Sequence, residues 1–187
     1  MWVNGRLCRG PKATLSLFDR GARDGEAIAV FSKRAFLPGA LGRYKTTSRL
    51  AYHLARDEAR ARRADEALLV SPEGQVLEGS VSNLFAVVEG EVLTPPLEQG
   101  ILPGITRGWV LAACAELRLP ARERPITREQ LEGAREVFLT NSVQQIVPVT
   151  RLEGRVVPER AIGLGLREAY RAMPPVGARQ HSPGRPP

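Results

Sequence analysis

Residues 78–107 read EGSVSNLFAVVEGEVLTPPLEQGILPGITR, and this stretch decides the fold. Two apolar runs, 84–88 and 91–94, flank Glu89-Gly90, and this pattern predicts a β-hairpin. Gly104 follows a proline and opens a segment with apolar residues at helical spacing, which predicts a helix over 104–117. A hairpin followed by a helix indicates a sheet that is antiparallel at least in part, with helices packed on it, the α+β class.

Outward from this stretch, apolar runs and turn residues predict most of the remaining elements. A short strand with an Asn4-Gly5 turn and a turn-rich loop over 19–25 are expected near the start, and a disordered tail from residue 174 onward is expected at the other end. Strands are predicted over 27–31, 66–70, 76–78, 136–140 and 145–149, with a further hairpin turn in 152–156.

Helices are predicted over 46–63, 104–117, 127–133 and 159–172. The first has Leu50, Ala51, Leu54 and Ala55 on its buried face, and the second has Val110, Leu111, Cys114 and Leu117 on one stripe. Thr127 and Gln130 form a capping box at the start of the third.

Composition limits the classes of function. The chain has 187 residues, 43% of them hydrophobic and 25% charged, which suits one globular domain with a real core. The net charge of +7 does not indicate nucleic acid, because the basic run 56–63 is interleaved with acids on a helical pattern and aromatic residues make up only 5% of the chain. We therefore expect no nucleic-acid partner.

Cysteine and histidine are too few to predict a metal site. Cys8 and Cys114 form no C-x-x-C pair, and only His53 and His181 are present. Cys114 lies in an apolar helical pattern and is predicted to be a small core residue. No leader-like or membrane-spanning run is seen, so the expected compartment is a reducing cytoplasm, without contact to a membrane.

Three features of the sequence together predict a pyridoxal-phosphate site. Lys45 lies between a loop and a helix, Glu78 ends a strand, and Gly104 begins a helix. Taken singly, these are a surface lysine, a solvated acid and an ordinary helix start. Together they are what pyridoxal phosphate requires: an amine for a Schiff base, an acid beside the ring nitrogen and N–H groups for the phosphate.

At this level of detail the sequence resembles the class IV pyridoxal-phosphate aminotransferases, the fold-type IV family of branched-chain aminotransferases, D-amino acid aminotransferases and 4-amino-4-deoxychorismate lyases. The resemblance covers about residues 27–157, and it includes KTTSRL at Lys45, ADEALLV at 64–70 and FLTNSVQQIVP at 138–148. Residues that match the family signature are Glu78, Ser80, Asn83, Leu84, Phe85, Val92, Thr94, Leu102, Gly104, Ile105 and Arg107.

The resemblance implies a role for each of several positions. Lys45 is the catalytic Schiff-base lysine and proton carrier, and Glu78 is the partner of the pyridinium nitrogen. The phosphate is held by the backbone of Ile105 and Thr106 and by the Ser142 hydroxyl. Val143 offers a backbone group to the substrate carboxylate. Asn83, Phe85 and Arg107 are expected to support the site, with Arg107 tying loops together rather than touching ligand.

The sequence departs from the family pattern at one place. Family members carry a small N-terminal domain between a D-R-G…G-D-G motif and the strand that leads to the lysine, whereas here Asp19-Arg-Gly and Asp24-Gly25 are followed almost at once by Ala27. The expected organisation is a remnant of the small domain over 1–26, the large pyridoxal-phosphate domain of the fold-type IV, D-amino acid aminotransferase-like fold over 27–173, and a tail over 174–187. The family's phosphate-binding arginine is expected to be absent with the missing segment.

The motif at the glutamate favours one activity within the family. Branched-chain enzymes typically carry E-G-x-G-E-N, whereas this chain has E-G-S-V-S-N. The sequence therefore favours a 4-amino-4-deoxychorismate lyase, which releases pyruvate and forms 4-aminobenzoate for folate synthesis. A branched-chain or D-amino acid aminotransferase is the alternative, and a non-catalytic binding protein is a further one. The resemblance also implies a homodimer acting on a small-molecule amino substrate.

Overall fold

The computed structural model describes residues 2–3, 6–7, 25–39 and 41–173. Strands β1 (Trp2–Val3) and β2 (Arg6–Leu7) pair antiparallel on either side of the predicted Asn4-Gly5 turn. That turn itself, the predicted loop up to residue 24, Cys8 and the tail 174–187 lie outside the described residues. Within the described part, no helix is long and apolar enough to cross a membrane.

One ten-stranded mixed sheet forms the body of the protein. Its strands follow the order β8-β7-β6-β10-β11-β3-β4-β5-β9, with β12 beside β11. The β3–β4, β11–β3 and β7–β8 pairs are parallel and the others antiparallel. The strands are β3 (Ala27–Ala35), β4 (Glu66–Val70), β5 (Gln75–Gly79), β6 (Asn83–Val88), β7 (Glu91–Thr94), β8 (Ala121–Glu123), β9 (Ile126–Thr127), β10 (Glu136–Asn141), β11 (Gln145–Leu152) and β12 (Arg155–Val156).

The sheet curls into a half-barrel because of how β5 and β6 are joined. Four strands separate these two in the hydrogen-bonding order, yet only Ser80, Val81 and Ser82 join them along the chain. The four Cα–Cα steps from Gly79 to Asn83 span about 14 Å at most, so the far sides of the sheet must approach each other. We call residues 80–82 the closing turn. It brings the end of β5 next to the beginning of β6.

Four α-helices of the described residues pack on the curled sheet, and they do not all use the same face. They are α1 (Leu50–Ala61), α2 (Ile105–Glu116), α3 (Arg128–Glu132) and α4 (Ala161–Ala172). Helix α1 packs on β3 and β4, whereas α2 and α4 pack on β10. The predicted capping box at the start of α3 is confirmed, because Gln130 N donates to Thr127 Oγ1 at 3.2 Å and Thr127 N donates to Gln130 Oε1 at 3.1 Å.

Alternate residues of the same strands enter different cores, as the period of two in a strand requires. Ala29 and Phe31 of β3 lie in a cluster with Leu68 and Leu84, whereas Val30 and Leu69 point to the opposite face, under α1. Phe85 stacks on Phe138 with ring centroids 5.0 Å apart, beneath α2 and α4. Cys114 is fully buried there, which confirms its predicted place in the core.

Helix α1 differs from its prediction in two ways. It begins at Leu50 rather than at residue 46, because 46–49 are irregular, with the Thr46 hydroxyl donating to Ser48 O at 3.4 Å. Its buried face is Tyr52, Ala55 and Ala59. The predicted burial of Leu50 is wrong, since this side chain is 70% exposed.

The reason for the different buried face is the Tyr52 ring. It occupies the space over the sheet and packs edge-on against Phe36, with centroids 4.8 Å apart. Ala51 and Leu54, also predicted to be buried, are exposed as a result. On α2 the predicted stripe holds for Val110 and Cys114, but Leu117 is 58% exposed because it lies at the C-terminal cap of the helix.

Candidate functional site

A cleft of about 230 Å³ opens where the half-barrel closes. It lies between the end of β5, the start of β6, the start of α2 and the end of β10. The register of β6 and β10 places Asn83 opposite Thr140 at its floor. We call it the Lys45 cleft, and its lining is Lys45, Arg49, Glu78, Gly79, Val81, Ser82, Asn83, Leu102, Pro103, Gly104, Ile105, Thr106, Thr140, Asn141 and Ser142.

Glu78 is a buried carboxylate held on both oxygens. Its Oε1 accepts a hydrogen bond from Tyr52 Oη at 3.1 Å, and its Oε2 accepts one from Leu102 N at 3.1 Å and one from Asn83 Nδ2 at 3.3 Å. Burial raises the pKa of Glu78 to about 7, although these donors act in the opposite direction. The carboxyl group is therefore fixed in place and able to take or release a proton near neutral pH.

Arg49 connects the surface of the cleft to Glu78 through Tyr52. The Arg49 guanidinium carbon lies 3.7 Å from the centre of the Tyr52 ring, a cation–π contact. Burial and the neighbouring Glu78 carboxylate raise the pKa of Tyr52, so that it remains a hydrogen-bond donor to Glu78. Arg49 also lowers the pKa of Glu78 through its charge. These two side chains adjust the proton affinity of the carboxyl group.

The closing turn is held by a second buried acid, Glu66, at the start of β4. Its Oε1 accepts hydrogen bonds from Ala67 N, Ser80 N and Ser80 Oγ, and its Oε2 accepts them from Ser82 Oγ at 2.7 Å and Val81 N at 3.3 Å. Burial raises the pKa of Glu66, and its hydrogen-bond donors oppose that shift. Its negative charge also raises the pKa of Glu78.

The start of α2 presents unpaired N–H groups at the cleft. Gly104 is the N-cap residue, and no side chain caps the helix, so the first-turn N–H groups of Ile105 and Thr106 have no partner from a capping side chain. Position 104 also has no room for a side chain, because a Cβ there would lie 2.0 Å from Asn83 Oδ1. The glycine therefore lets the helix start pack directly on β6.

Two buried hydroxyl groups in the lining lack a hydrogen-bond partner. They are Thr106 Oγ1 and Thr140 Oγ1, and each residue is only 1% exposed. Buried hydroxyls are normally paired in native proteins, so an unpaired one points to a missing partner. Because both groups line the Lys45 cleft beside the start of α2, the arrangement suits a ligand oxygen, such as one of phosphate.

Arg107 belongs to the first turn of α2, and its side chain does not line the cleft. It is 4% exposed, donates from Nη2 to Pro95 O at 2.9 Å and pairs with Glu123 of β8. The contacts join α2 to the end of β7 and to β8, in agreement with the expectation that Arg107 ties loops together. Asn83 has a similar supporting position, since its Nδ2 also donates to Leu102 O at 2.8 Å.

Of the site residues named from sequence, the structure brings five into the lining of one cleft: Lys45, Glu78, Ile105, Thr106 and Ser142. Lys45 and Ser142 are exposed at its mouth. Val143 does not line it and instead faces a neighbouring concavity with Arg167 and Arg171. The Val143 N–H donates to Asn141 Oδ1 at 2.9 Å, so a role for its backbone toward a substrate stays a prediction.

Four residues of the site were not expected from the sequence: Arg49, Tyr52, Glu66 and Asn141. Asn141 Oδ1 accepts hydrogen bonds from Val143 N and from Gln144 N at 2.7 Å, which shapes the turn that carries Ser142. An Asn directly before a turn is a recognisable signal that its side chain accepts hydrogen bonds from backbone N–H groups of the turn. Glu66 gave no such signal, because its partners in the closing turn are 14 to 16 residues distant along the chain.

Comparisons with known proteins agree on one family. Residues 13–152 match the model of the family described as Amino-transferase class IV. A protein of Methanocaldococcus jannaschii, provisionally named a branched-chain-amino-acid aminotransferase, is 39% identical over 110 residues, which is 59% of this chain and 38% of that protein. The chain thus spans well under half of this curated relative.

Solved structures give the same result. The branched-chain aminotransferase of Thermoproteus uzoniensis superposes with a TM-score of 0.74 at 38% identity, covering 78% of this chain and 50% of that one. A protein of Legionella pneumophila, provisionally named a 4-amino-4-deoxychorismate lyase, superposes with a TM-score of 0.74 at 30% identity, covering 78% of this chain and 55% of that one. The chain therefore spans about half the length of these structures.

Proposed function

The chain belongs to the class IV aminotransferases, a family whose members use pyridoxal phosphate, and on that premise we propose that it forms the cofactor-binding part of a pyridoxal-phosphate enzyme that transfers amino groups. The observation that carries the proposal is the convergence of Lys45, Glu78 and the start of α2 on one cleft. These groups come from parts of the sequence that are 33 and 27 residues apart.

Buried hydroxyl groups without hydrogen-bond partners support a fit between the residues present and this cofactor. Thr106 Oγ1 and Thr140 Oγ1 are buried donors without partners, and they lie beside the open helix start at Ile105. A phosphate would accept hydrogen bonds from all of these, and the helix dipole would favour its charge. Ser142, at the mouth of the cleft, has a hydroxyl available for the same group. Glu78 would pair with the ring nitrogen.

When bound, pyridoxal phosphate supplies an electron sink for the negative charge that develops at the α-carbon of an amino substrate. Glu78 would hold the proton of the ring nitrogen, which its firm hydrogen bonds and near-neutral pKa suit it to do. Lys45 would hold the cofactor covalently through Nζ and then move a proton to and from the substrate's α-carbon. Tyr52 and Asn83 would orient the Glu78 carboxylate.

We infer that the substrates are amino acids with branched aliphatic side chains. Support comes from the curated relatives, which include branched-chain aminotransferases of Methanocaldococcus jannaschii by provisional name and of Escherichia coli, the latter 36% identical over 110 residues. The lyase favoured by the sequence pattern becomes the second candidate. Its support is the E-G-S-V-S-N motif and the similarity to the Legionella structure.

Two assays separate these functions. Purified protein supplied with pyridoxal phosphate is incubated with leucine, isoleucine or valine and 2-oxoglutarate, and glutamate formation is measured. A parallel sample receives 4-amino-4-deoxychorismate without keto acid, and pyruvate is measured. Glutamate formation supports the transaminase, and pyruvate release supports the lyase. Tight cofactor binding without either product would contradict both and favour the non-catalytic binding protein.

We also propose that the chain pairs with a second copy of itself next to the Lys45 cleft. Large apolar side chains are exposed in the segment that carries Lys45 and on the first turns of α1. Leu41 and Tyr44 are each 64% exposed, Leu50 is 70% exposed and Leu54 is 37% exposed. Leu50 and Leu54 are four residues apart and therefore share a face of the helix. Exposed large apolar side chains of this kind suit a protein interface.

A further inference from the structure

Glu66 is a buried acid at the half-barrel closure, like Glu78, but it accepts more hydrogen bonds. It is 3% exposed, and both of its oxygens accept hydrogen bonds, five in all. Four of the five donors belong to the closing turn, which follows the neighbouring strand β5. A buried carboxylate is costly unless it is fully hydrogen-bonded, so this arrangement is held only while the turn keeps its shape.

The closing turn also forms a wall of the Lys45 cleft. Val81 and Ser82 line the cleft directly, and the two residues that hold or form the proposed ring-nitrogen site, Glu78 and Asn83, flank the turn. Gly79 has no room for a side chain, because a Cβ would lie 2.2 Å from Ser82 Oγ and 2.8 Å from Glu66 Cδ. The turn is thus packed directly on the Glu66 carboxyl group.

We propose that Glu66 is a positioning residue for the cofactor site: its carboxylate fixes the closing turn and, through it, the positions of Glu78 and Asn83. The inference rests on the proposed function, because it concerns how the same cleft is kept ready for pyridoxal phosphate. Glu66 touches no part of the open cleft itself and acts through the residues that it holds.

The test compares two buried glutamates in the unliganded protein, titrated with pyridoxal phosphate and followed by absorbance. Glu66→Gln keeps the shape of the side chain but places an NH₂ group against N–H and O–H donors. The control is Glu136→Gln. Glu136 is also 3% exposed and accepts hydrogen bonds from Ile162 N at 2.9 Å and Gly163 N at 3.0 Å, but it holds the start of α4 and does not line the cleft.

We expect the dissociation constant of pyridoxal phosphate to rise at least tenfold in Glu66→Gln and to stay within twofold of wild type in Glu136→Gln, even where both variants melt at lower temperature. Equal affinities in all three proteins, or equal weakening in both variants, would overturn the inference. Wild-type protein that fails to bind the cofactor would overturn the proposed function and this inference with it.

A second readout does not depend on the cofactor. The carboxyl carbon of Glu78, labelled with ¹³C, reports the midpoint of its titration in the unliganded protein. Removal of the Glu66 charge lowers the pKa of Glu78, so the midpoint moves from about 7 to a lower pH in Glu66→Gln. It stays in place in Glu136→Gln. An unchanged midpoint in Glu66→Gln would reduce Glu66 to a role in stability alone.

If Glu66→Gln does not fold, Ser82→Ala decides the matter. It removes the single 2.7 Å hydrogen bond from Ser82 Oγ to Glu66 Oε2 and leaves the charge paired with its other donors. We expect a smaller loss of affinity for pyridoxal phosphate, about threefold, with a folded protein. Affinity equal to wild type in Ser82→Ala would overturn the inference.

Discussion

Tyr52 Oη donates a hydrogen bond of 3.1 Å to Glu78 Oε1, which joins the buried face of α1 to the acid in the cleft. The tyrosine is one of three donors to this carboxyl group, and its loss removes a contact that favours the charged form. In Tyr52→Phe we therefore expect the pKa of Glu78 to rise above its present value of about 7. The measurement is the ¹³C titration of Glu78, and a midpoint at or below that of wild type would contradict it.

The pH dependence of stability follows from the same carboxyl group. The pKa of Glu78 is about 7 in the folded protein and 4.5 unfolded, so the folded state binds more protons between these values. Stability must then fall as pH rises from 4.5 to 7, by about 3 kcal/mol from this group alone. In Glu78→Gln, urea unfolding of the unliganded protein should show a flatter profile over that range.

The control for this profile is Glu116→Gln, which changes an exposed acid at the end of α2. It should reproduce the wild-type curve. If Glu78→Gln loses stability with pH as steeply as wild type, the carboxyl group does not carry the raised pKa. Glu66 is buried as well and its charge is coupled to that of Glu78, so the difference between the wild-type and Glu78→Gln curves reports Glu78 together with this coupling.

Lys45 is expected to be the residue that holds the cofactor. Protein mixed with pyridoxal phosphate should absorb visible light, and borohydride should fix the cofactor to the Lys45 peptide. Lys45→Ala should lose the band. Lys33→Ala is the matched control, since Lys33 is exposed on β3 and lies outside the cleft. Retention of the band in Lys45→Ala, or fixation at Lys33, would remove Lys45 from this role.

The two unpaired hydroxyls should affect stability and binding in opposite directions. In Thr106→Val and Thr140→Val, a buried hydroxyl without a partner is replaced by a methyl group. The unliganded protein should become more stable by about 1 kcal/mol, because the cost of the unpaired group is removed. Affinity for pyridoxal phosphate should fall about tenfold, measured by absorbance titration, because a phosphate donor is lost.

Thr94→Val is the matched control for these changes. Thr94 is equally buried, but its hydroxyl donates to Leu84 O at 2.7 Å and it does not line the cleft. Its replacement should destabilise the protein by about 1–3 kcal/mol and leave cofactor affinity within twofold. Thr106→Val and Thr140→Val proteins that lose stability but bind normally would show that these hydroxyls serve only the fold.

The proposed pairing of two copies predicts the effect of one charge on α1. Leu50→Glu should convert a dimer to a monomer, because it places a carboxylate in an apolar interface. Sedimentation measures the mass of the particle in each case. Leu117→Glu is the control, since Leu117 is similarly exposed but lies at the far end of α2 from the cleft. A wild-type monomer, or a Leu50→Glu dimer, would contradict the proposal.

Local patterns in the sequence predicted most of the architecture. The hairpins at 66–79 and 83–94 have turn residues between apolar runs, and the structure places strands there. Strands β8 and β9 are three and two residues long, too short to leave a pattern, and were missed. Leu50 was misplaced because a helical period does not tell which of two apolar faces packs inward, and here Tyr52 fills that space.

From the sequence, only residues that belong to a recognisable motif could be assigned to the candidate site. Lys45 and Glu78 are 33 residues apart, in the loop after β3 and at the end of β5, and spacing alone does not reveal that these strands lie two places apart in one sheet. The resemblance to a family supplied that relationship. Glu66 was beyond reach, because an acid beside an apolar run is usually a surface residue, and only the folded closing turn supplies its partners.

Because only three residues link β5 to β6, the Lys45 cleft lies at the junction where the half-barrel closes. A ligand bound to Glu78, Thr140 and the start of α2 would hold this junction together, since these groups belong to elements that separate when the half-barrel opens. The amide protons of residues 79–83 should then exchange with solvent faster in the unliganded protein than those of the central strand β3, and should become protected on binding. Binding of a ligand in the cleft and closure of the half-barrel would then be thermodynamically coupled.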